Sequence, residues 1–323
     1  MAVLVFTENW DGKFKKSSFE LVSYASALAE MMGTRTIALS IGPVDESELV
    51  KLGGYGADRI VNVSEDGLKA LDSQVYTKII SSVAEKENAK VVVLSHNNSG
   101  KALAPRLSVR LKAGLASGVI KLPSSVDPIT VLKKVFSGNG FANLVIKTDR
   151  VILTLSKNSF EIREKKTTPE IENISSEIQA GDIKTSVVDT HKQTGKLILT
   201  DAEIVVSGGR GMKSSENWGT IEELAEVLGA ATACSRPVSD EGWRPHDEHT
   251  GQTGKIIAPN LYIAAGISGA IQHLAGVSSS KCIVAINTDK DAPIFESADY
   301  GIVGDASKVL PELIQAAKEM KAS

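Results

Sequence analysis

Cysteine is nearly absent: Cys234 and Cys282 are the only two in 323 residues. They lie far apart, each inside an apolar strand-like run, whereas disulfide scaffolds and zinc sites need more cysteines at closer spacing. Both are therefore expected as free thiols in a reducing compartment. Also missing is any apolar stretch approaching the ~18 residues that a membrane span requires. The formal net charge is only −3, so nothing points to nucleic acid or an anionic membrane surface as a partner. The one basic run, Arg163-Glu164-Lys165-Lys166, reads as a solvated segment. No GxGxxG fingerprint of the usual NAD type occurs, and no GxSxG context surrounds a serine nucleophile. Met1 leads at once into Ala2-Val3-Leu4-Val5-Phe6, a strand pattern that leaves no room for a signal or transit peptide. The expectation is a cytoplasmic chain or a mature product.

What is present fits two domains, since 323 residues exceed one typical domain. From the N-terminus, apolar runs alternate with helical periodicity. Strands are expected at 2–8, Thr36–Ile41, Ala57–Val63 and Ala89–Leu94. Helices are expected from Ser17-Ser18, read as caps, to about Met32, from an Asp45 cap to Leu52, at Tyr76–Glu87 and at Leu103–Leu111. Ala113–Ile120 then carries the chain out. This βαβα order implies a mostly parallel, doubly wound sheet. Val131–Phe136, Ala142–Ile146 and Val151–Leu155, spaced by Gly138-Asn139-Gly140 and Thr148-Asp149-Arg150, read as an added antiparallel meander. A polar connector without long periodicity follows, from about Arg163 to Lys196. The polar loop His96–Gly100 reads as a helix N-cap region rather than a nucleotide site.

The most informative stretch runs from Ile204 to Asp305. Apolar, β-branched runs there end repeatedly in glycines and hydroxyls, as buried parallel strands do where an open α/β sheet binds ligands. Gly266-Ile267-Ser268-Gly269-Ala270 joins the strand Leu261–Ala265 to a helix starting near Ala270. Its small residues let backbone amides approach a phosphate at a helix N-terminus. Gly208-Gly209-Arg210-Gly211 offers a second such loop, with a guanidinium suited to a pyrophosphate. Together these loops suggest one large, phosphate-bearing ligand such as a dinucleotide. A final helix is expected at Ser307–Met320.

Other chemistries fail on the residues. His246 and His249 stand beside Asp247 and Glu248, but Gly242, Pro245, Thr250 and Gly251 make this a loop with no fixed ligand face for a metal. Asp299 and Asp305 lie at opposite ends of a strand, better placed as caps and ribose contacts than as an acid/base pair. An NAD-dependent or deoxyhypusine-synthase-like enzyme needs a cleft lysine or base, for which Lys255 is the only candidate. A non-redox nucleotide module leaves Arg236, Thr253 and His273 without a purpose.

Gly208-Gly209-Arg210-Gly211, Ser235-Arg236-Pro237, Gly251-Gln252-Thr253-Gly254-Lys255, Gly266 to Gly276 (GISGAIQHLAG), Ala285-Ile286-Asn287, Ala292-Pro293-Ile294-Phe295 and Ala298-Asp299-Tyr300-Gly301-Ile302-Val303 occur in that order. In this the chain resembles the FAD domain of the electron-transferring flavoprotein alpha subunit. Pro105–Leu111 and Gly114–Val119 resemble the family's first domain less specifically.

The resemblance implies an α/β chain of two domains. Residues 1–190 would be a doubly wound scaffold and partner-docking domain with the meander and connector, and residues 191–323 a Rossmann-like parallel-sheet FAD domain. It implies noncovalent FAD, a beta subunit completing a heterodimer, donor dehydrogenases such as those acting on acyl-CoA in fatty acid β-oxidation, and a downstream quinone reductase or other acceptor. The chain would be an electron carrier, not an enzyme.

A flavin needs donors around N5, O4, N1 and O2, and positive charge near its pyrimidine side favours reduced, anionic forms. By resemblance, Arg236 and Thr253 lie near N5. Ser235 and Gln252 hold the ring and ribityl chain, and His273 lies near O2. Arg210, Ser268, Gly269, Ala270 and Ile271 follow the ribityl and phosphates, and Asn287 and Asp305 hold the adenosine. Thr250, Gly251, Gln272 and Ala306 complete the implied cofactor-binding set, and no metal is implied. Two departures stand out: Ala233-Cys234 where the family usually has Gly-Ala, and Thr250 where an apolar residue is usual. Cys234 is thereby expected close to the flavin, as a structural rather than redox thiol.

Overall fold

The computed structural model describes residues 1–322 apart from 139, 177, 184, 186 and 191–196. The middle residue of the Gly138-Asn139-Gly140 turn and the end of the expected connector therefore lie outside the described residues. The chain divides into two compact units, Met1–Thr190 and His191–Ser323.

In the first unit, β1 (Ala2–Phe6), β2 (Arg35–Ile41), β3 (Arg59–Val63), β4 (Ala89–Ser95), β5 (Gly114–Val119), β6 (Ile129–Val135), β7 (Gly140–Ile146), β8 (Val151–Leu155) and β9 (Glu170–Asn173) form one sheet. Its order is β7-β6-β5-β8-β4-β1-β2-β3-β9, and Ser125–Val126 pairs on β6. From β5 to β9 every pairing is parallel. Helices α1 (Lys16–Met31), α2 (Ser73–Lys86) and α3 (Asn98–Leu111) supply the crossovers, and separate apolar cores lie on the two faces of the sheet.

Several expectations need correction. Val151–Leu155 is not part of an antiparallel meander: it inserts in parallel between β4 and β5, with Val151 opposite Val91 and Gly114. The reason is burial, since all five of its residues are inside, and a strand covered on both faces belongs mid-sheet. The antiparallel edge is formed by β6 and β7, with Ser125–Val126 pairing antiparallel on β6. Ser17-Ser18 do not cap α1. Lys15 holds the cap position without a side-chain bond, and Ser18 Oγ donates instead to the Glu8 carbonyl at 2.8 Å. Asp45 precedes a short helix (Glu46–Leu49) without capping it by its side chain. Asp72, unmarked in the sequence reading, caps α2 by accepting from Gln74 N and Val75 N. The connector also contributes a strand, β9, tied to β3 by the Arg59–Glu172 ion pair and by Asn62 Nδ2 donating to Asn173 Oδ1 at 2.9 Å. Asn97 does cap α3, its carbonyl oxygen accepting from Gly100 N at 2.9 Å.

The second unit is a parallel sheet of β10 (Ile204–Gly208), β11 (Ala231–Cys234), β12 (Leu261–Ala265), β13 (Cys282–Asn287) and β14 (Tyr300–Val303), in the order β11-β10-β12-β13-β14. Helices α4 (Gly219–Leu228) and α7 (Ala306–Ala322) cover one face, while α5 (Arg236–Asp240) follows β11. On the other face α6 (Ile271–Val277) brings Val277 to a core that also holds Ile294. The chain leaves β10 for β11 on one side, then returns to β12 on the other. The crevice between the carboxyl ends of β10 and β12 is thus a topological switch point, where open α/β sheets bind ligands.

Glu20, 5% exposed, accepts hydrogen bonds from the backbone N–H groups of Asn158, Ser159 and Phe160 at 3.1, 2.8 and 3.1 Å. Truncation leaves those amides without their acceptor. Glu20→Ala is predicted to destabilise the chain by about 3 kcal/mol, read as a lowered denaturant midpoint; an unchanged midpoint would remove this anchor from the account.

Candidate functional site

The loops leaving β10 and β12 touch backbone to backbone. Gly211 N donates to the Gly266 carbonyl at 2.9 Å, and Gly209 N to Ala265 O at 2.9 Å. Gly266 has φ +64°, and a Cβ there would sit 2.7 Å from Gly211 Cα. Two side-chain-free backbones are therefore required, both for the left-handed conformation and for the approach.

Beside this contact lies a cavity of about 510 Å³, within the usual range for small-molecule sites. Arg210 and Gly211 reach it from β10, and Ser235, Arg236, Pro237 and Asp240 from the end of β11. His249, Thr250, Gly251, Gln252 and Thr253 form a turn along one wall. Gly266, Ile267, Ser268 and Ala270 come from β12, Gln272 and His273 from α6, and Asn287 from the end of β13.

Backbone bonds fix the turn. Thr250 N and Oγ1 both donate to the Cys234 carbonyl, at 3.0 and 3.2 Å, and Gln252 N donates to the Gln272 carbonyl at 2.7 Å. Gly251 N donates to Lys255 O and Lys255 N to His249 O, which closes the loop on itself. Gln252 and Thr253 are left exposed at its tip.

The side chains divide into a cationic, exposed rim and a neutral, buried floor. Arg210 is exposed, and Arg236, with its side chain 64% exposed, pairs loosely with Asp240 at 3.4 Å. His273, by contrast, is buried, with Nε2 2.7 Å from the Tyr262 hydroxyl and Nδ1 buried without a hydrogen-bond partner. Burial pushes its pKa down to about 4, opposed in part by the Thr250 backbone, so its imidazole is neutral at neutral pH. Asn287 Nδ2 donates to Ile267 O at 2.9 Å, holding β13 to the loop after β12.

Both units match models of one family. Residues 3–178 match the electron transfer flavoprotein domain, and residues 198–278 the electron transfer flavoprotein FAD-binding domain. The chain is 37% identical over 319 residues to the electron transfer flavoprotein subunit alpha of Bacillus subtilis (strain 168), covering 98% of each. It is 36% identical to the subunit of the same name from Megasphaera elsdenii, covering 99% of this chain and 97% of that one. Acryloyl-CoA reductase electron transfer subunit beta of Anaerotignum propionicum is 33% identical, with 99% and 96% covered. The chain belongs to the electron transfer flavoprotein alpha family.

Its cofactor is FAD. The donor set of the cavity suits that group: guanidinium, hydroxyl and carboxamide side chains line it, and its one carboxylate, Asp240, is paired to Arg236. As an electron transfer flavoprotein, the chain also disposes of the enzyme reading. Lys255 does not line the cavity and stands 3.8 Å from Asp247. Among the described residues, no group of three metal-ligating side chains occurs.

Twelve of the residues singled out from sequence border the one cavity: Arg210, Ser235, Arg236, Thr250, Gly251, Gln252, Thr253, Ser268, Ala270, Gln272, His273 and Asn287. Gly269, Ile271, Asp305 and Ala306 do not. Gly269, at φ +85°, packs against the backbone of Ile294, and Ile271 is 70% exposed. Asp305 pairs with Lys213 at 2.8 Å and accepts from Ser307 N, which holds its carboxyl well below the usual range. Ala306 is buried at the start of α7.

Cys234 lies behind the cavity wall that Ser235 and Thr250 form. It is fully buried in the core shared with α4 and does not border the cavity, and burial raises its thiol pKa to about 12. The sequence marked neither Tyr262, the partner of His273, nor His249, weighed there only as a metal ligand, as part of the cofactor cavity. Tyr262 offered one signal, a phenol in the otherwise apolar run LYIAA.

Two predictions follow from this geometry. Gly266→Ala forces a Cβ into Gly211 at an unfavourable φ and is predicted to cost about 2 kcal/mol or more, with lowered FAD uptake in a flavin-fluorescence titration. His273 resists protonation in the native state, so its contribution is complete above about pH 6.5, its ordinary value, and is lost as pH falls toward 4. The loss amounts to about 3 kcal/mol. Denaturant midpoints between pH 7 and 4 are expected to vary less in His273→Gln than in the parent; equal slopes would show that His273 is not the titrating group.

Proposed function

We propose that this chain is the alpha subunit of a two-subunit electron carrier. It holds FAD noncovalently in the cavity at the β10–β12 switch point and passes electrons between a dehydrogenase and a downstream acceptor. The observation that carries the reading is the convergence of Arg210, Arg236 and the Gln252-Thr253 turn tip on one crevice, in a chain of this family.

When bound, FAD supplies the redox chemistry, accepting and releasing electrons. The protein's own residues bind and orient it. Ser235, Thr253 and Gln252 present polar groups to the ring. Arg236 can leave its weak exposed pairing with Asp240, which costs little in solvent, and bring positive charge beside the ring where reduction adds negative charge. Arg210 and Ser268 flank the glycine contact and suit the pyrophosphate, whose bidentate recognition by arginine is strong. Asn287, and Asp305 beyond the cavity, suit the adenosine half. Gly269, Ile271 and Ala306 act through the backbone shape of the phosphate and adenosine path.

Residues 1–190 serve as scaffold and partner-docking domain, and residues 191–323 as the FAD domain. In the first unit the antiparallel edge exposes Phe141 and Val145, beside Phe136 at 84% exposure. Such a cluster at a sheet edge is suited to burial by a beta subunit. Donors are dehydrogenases such as those acting on acyl-CoA, in keeping with a relative named for acryloyl-CoA reduction, and the acceptor is a quinone reductase or another acceptor. The carrier works in the cytoplasm. Among the described residues, no helix is long and apolar enough to cross a membrane.

Co-expression with a beta-like subunit is expected to yield a yellow heterodimer whose flavin band bleaches stepwise with dithionite. A colourless complex that takes up no added FAD would overturn the reading. Arg236→Ala is expected to weaken FAD binding by about 1.5–3 kcal/mol, roughly 10–100-fold, and to make the bound flavin harder to reduce.

A further inference from the structure

His273 is the histidine that the motifs single out, yet the cavity has a second imidazole. His249 borders it, 3% exposed, inside the turn that presents Gln252 and Thr253. Its Nδ1 is buried without a hydrogen-bond partner, 2.8 Å from where a Cβ on Gly254 would stand, and its Nε2 faces Gly251. A buried ring nitrogen with no hydrogen-bond partner is costly unless a further group completes it.

We propose that His249 is the residue that takes up a proton when negative charge is placed in this cavity, and so couples reduction of the cofactor to pH. The proposal rests on FAD occupying this cavity. The bookkeeping is one electron from the reductant to the flavin and one proton from solvent to a ring nitrogen of His249, leaving the net charge of the site unchanged.

The charged and titratable groups around His249 favour this role. Burial, then His246, whose ring centroid is 5.3 Å away, and Arg236 on α5 disfavour the imidazolium, while Asp240 on α5 supports it. The Cys234 thiol at the end of β11 stays neutral. His273 on α6, the other imidazole of the wall, is itself neutral at neutral pH. His249 is thus held neutral, below the ordinary 6.5 of histidine, while the cavity is uncharged. Negative charge alongside offsets the repulsion from Arg236 and raises the affinity for a proton. His273 is the poorer proton acceptor. Its Nε2 is already engaged with the Tyr262 phenol, and burial pushes its pKa down to about 4.

The sign of the effect follows. Below the pKa of His249 in the oxidised protein the residue is charged in both states, and above its pKa in the reduced protein it is neutral in both. Only between these values does His249 take up a proton on reduction. There the one-electron reduction equilibrium should shift tenfold per pH unit, favouring reduction at lower pH.

The test is the midpoint potential of the FAD-loaded heterodimer against pH 5–9, for the parent, His249→Gln and His249→Asn. The two amides carry no titrating proton and place their polar atoms near Nε2 and Nδ1 respectively, so one remains informative if the other fails to fold. Ser268→Trp, a filling substitution at an exposed position of the wall, is titrated with FAD in parallel. A pH-dependent segment in the parent that is flattened in the amide variants is the expected result. The same dependence in parent and variants overturns the role of His249 alone. Ser268→Trp binding FAD as tightly as the parent overturns the placement of the cofactor, and with it this proposal.

Discussion

The contact on which the second unit depends is between the loops that leave β10 and β12, where Gly211 N donates to the Gly266 carbonyl. At a switch point two neighbouring strands send their connections to opposite sides, which opens a crevice. Here glycine backbones close its base. The helix after β12 begins beside it, so amides, small residues and α6 all face the same opening. A second close approach locks the wall: Gly276 of α6 packs where a Cβ would stand 2.5 Å from Gly251 Cα. The position of Gln252 and Thr253 is therefore set by helix packing rather than by the turn alone.

Around this frame, charge is sorted by burial. Full burial of an unpaired cation is costly, and the cationic groups, Arg210 and Arg236, stand at the exposed rim. The enclosed groups, His249, His273 and Tyr262, are neutral at neutral pH for the same reason. Such a floor holds its geometry while the rim can move, a division suited to a site whose ligand changes charge. Family membership supplies the identity of that ring; the sorting of charge explains how this chain would tolerate it.

The first unit uses similar α/β connectivity differently. At its strand ends polar side chains bond to one another and to the backbone: His96 Nδ1 lies 2.8 Å from Thr154 Oγ1, which accepts from Gly118 N at 2.9 Å, while Asn97 caps α3. The polar groups at these strand ends are engaged in internal bonds and caps. What this unit leaves open is instead an apolar edge around Phe141 and Val145.

The periodic runs by themselves determined the parallel α/β character of both units, because strands covered on both faces must be apolar throughout. The glycine and hydroxyl clusters after those strands marked most of the cavity wall, since close backbone approach restricts residue choice. Local pattern could not decide sheet order. Val151–Leu155 follows a hairpin in sequence but sits mid-sheet, and β9 is too polar and short to announce itself. Nor could it decide side-chain direction. Cys234 and Thr250 are joined at one strand end, yet the thiol enters the α4 core and the threonine borders the cavity. His249 and Tyr262 became visible as part of the site only when α6 and the 249–255 turn came together, because burial and hydrogen-bond partners are properties of distant segments meeting, which no single stretch of sequence encodes.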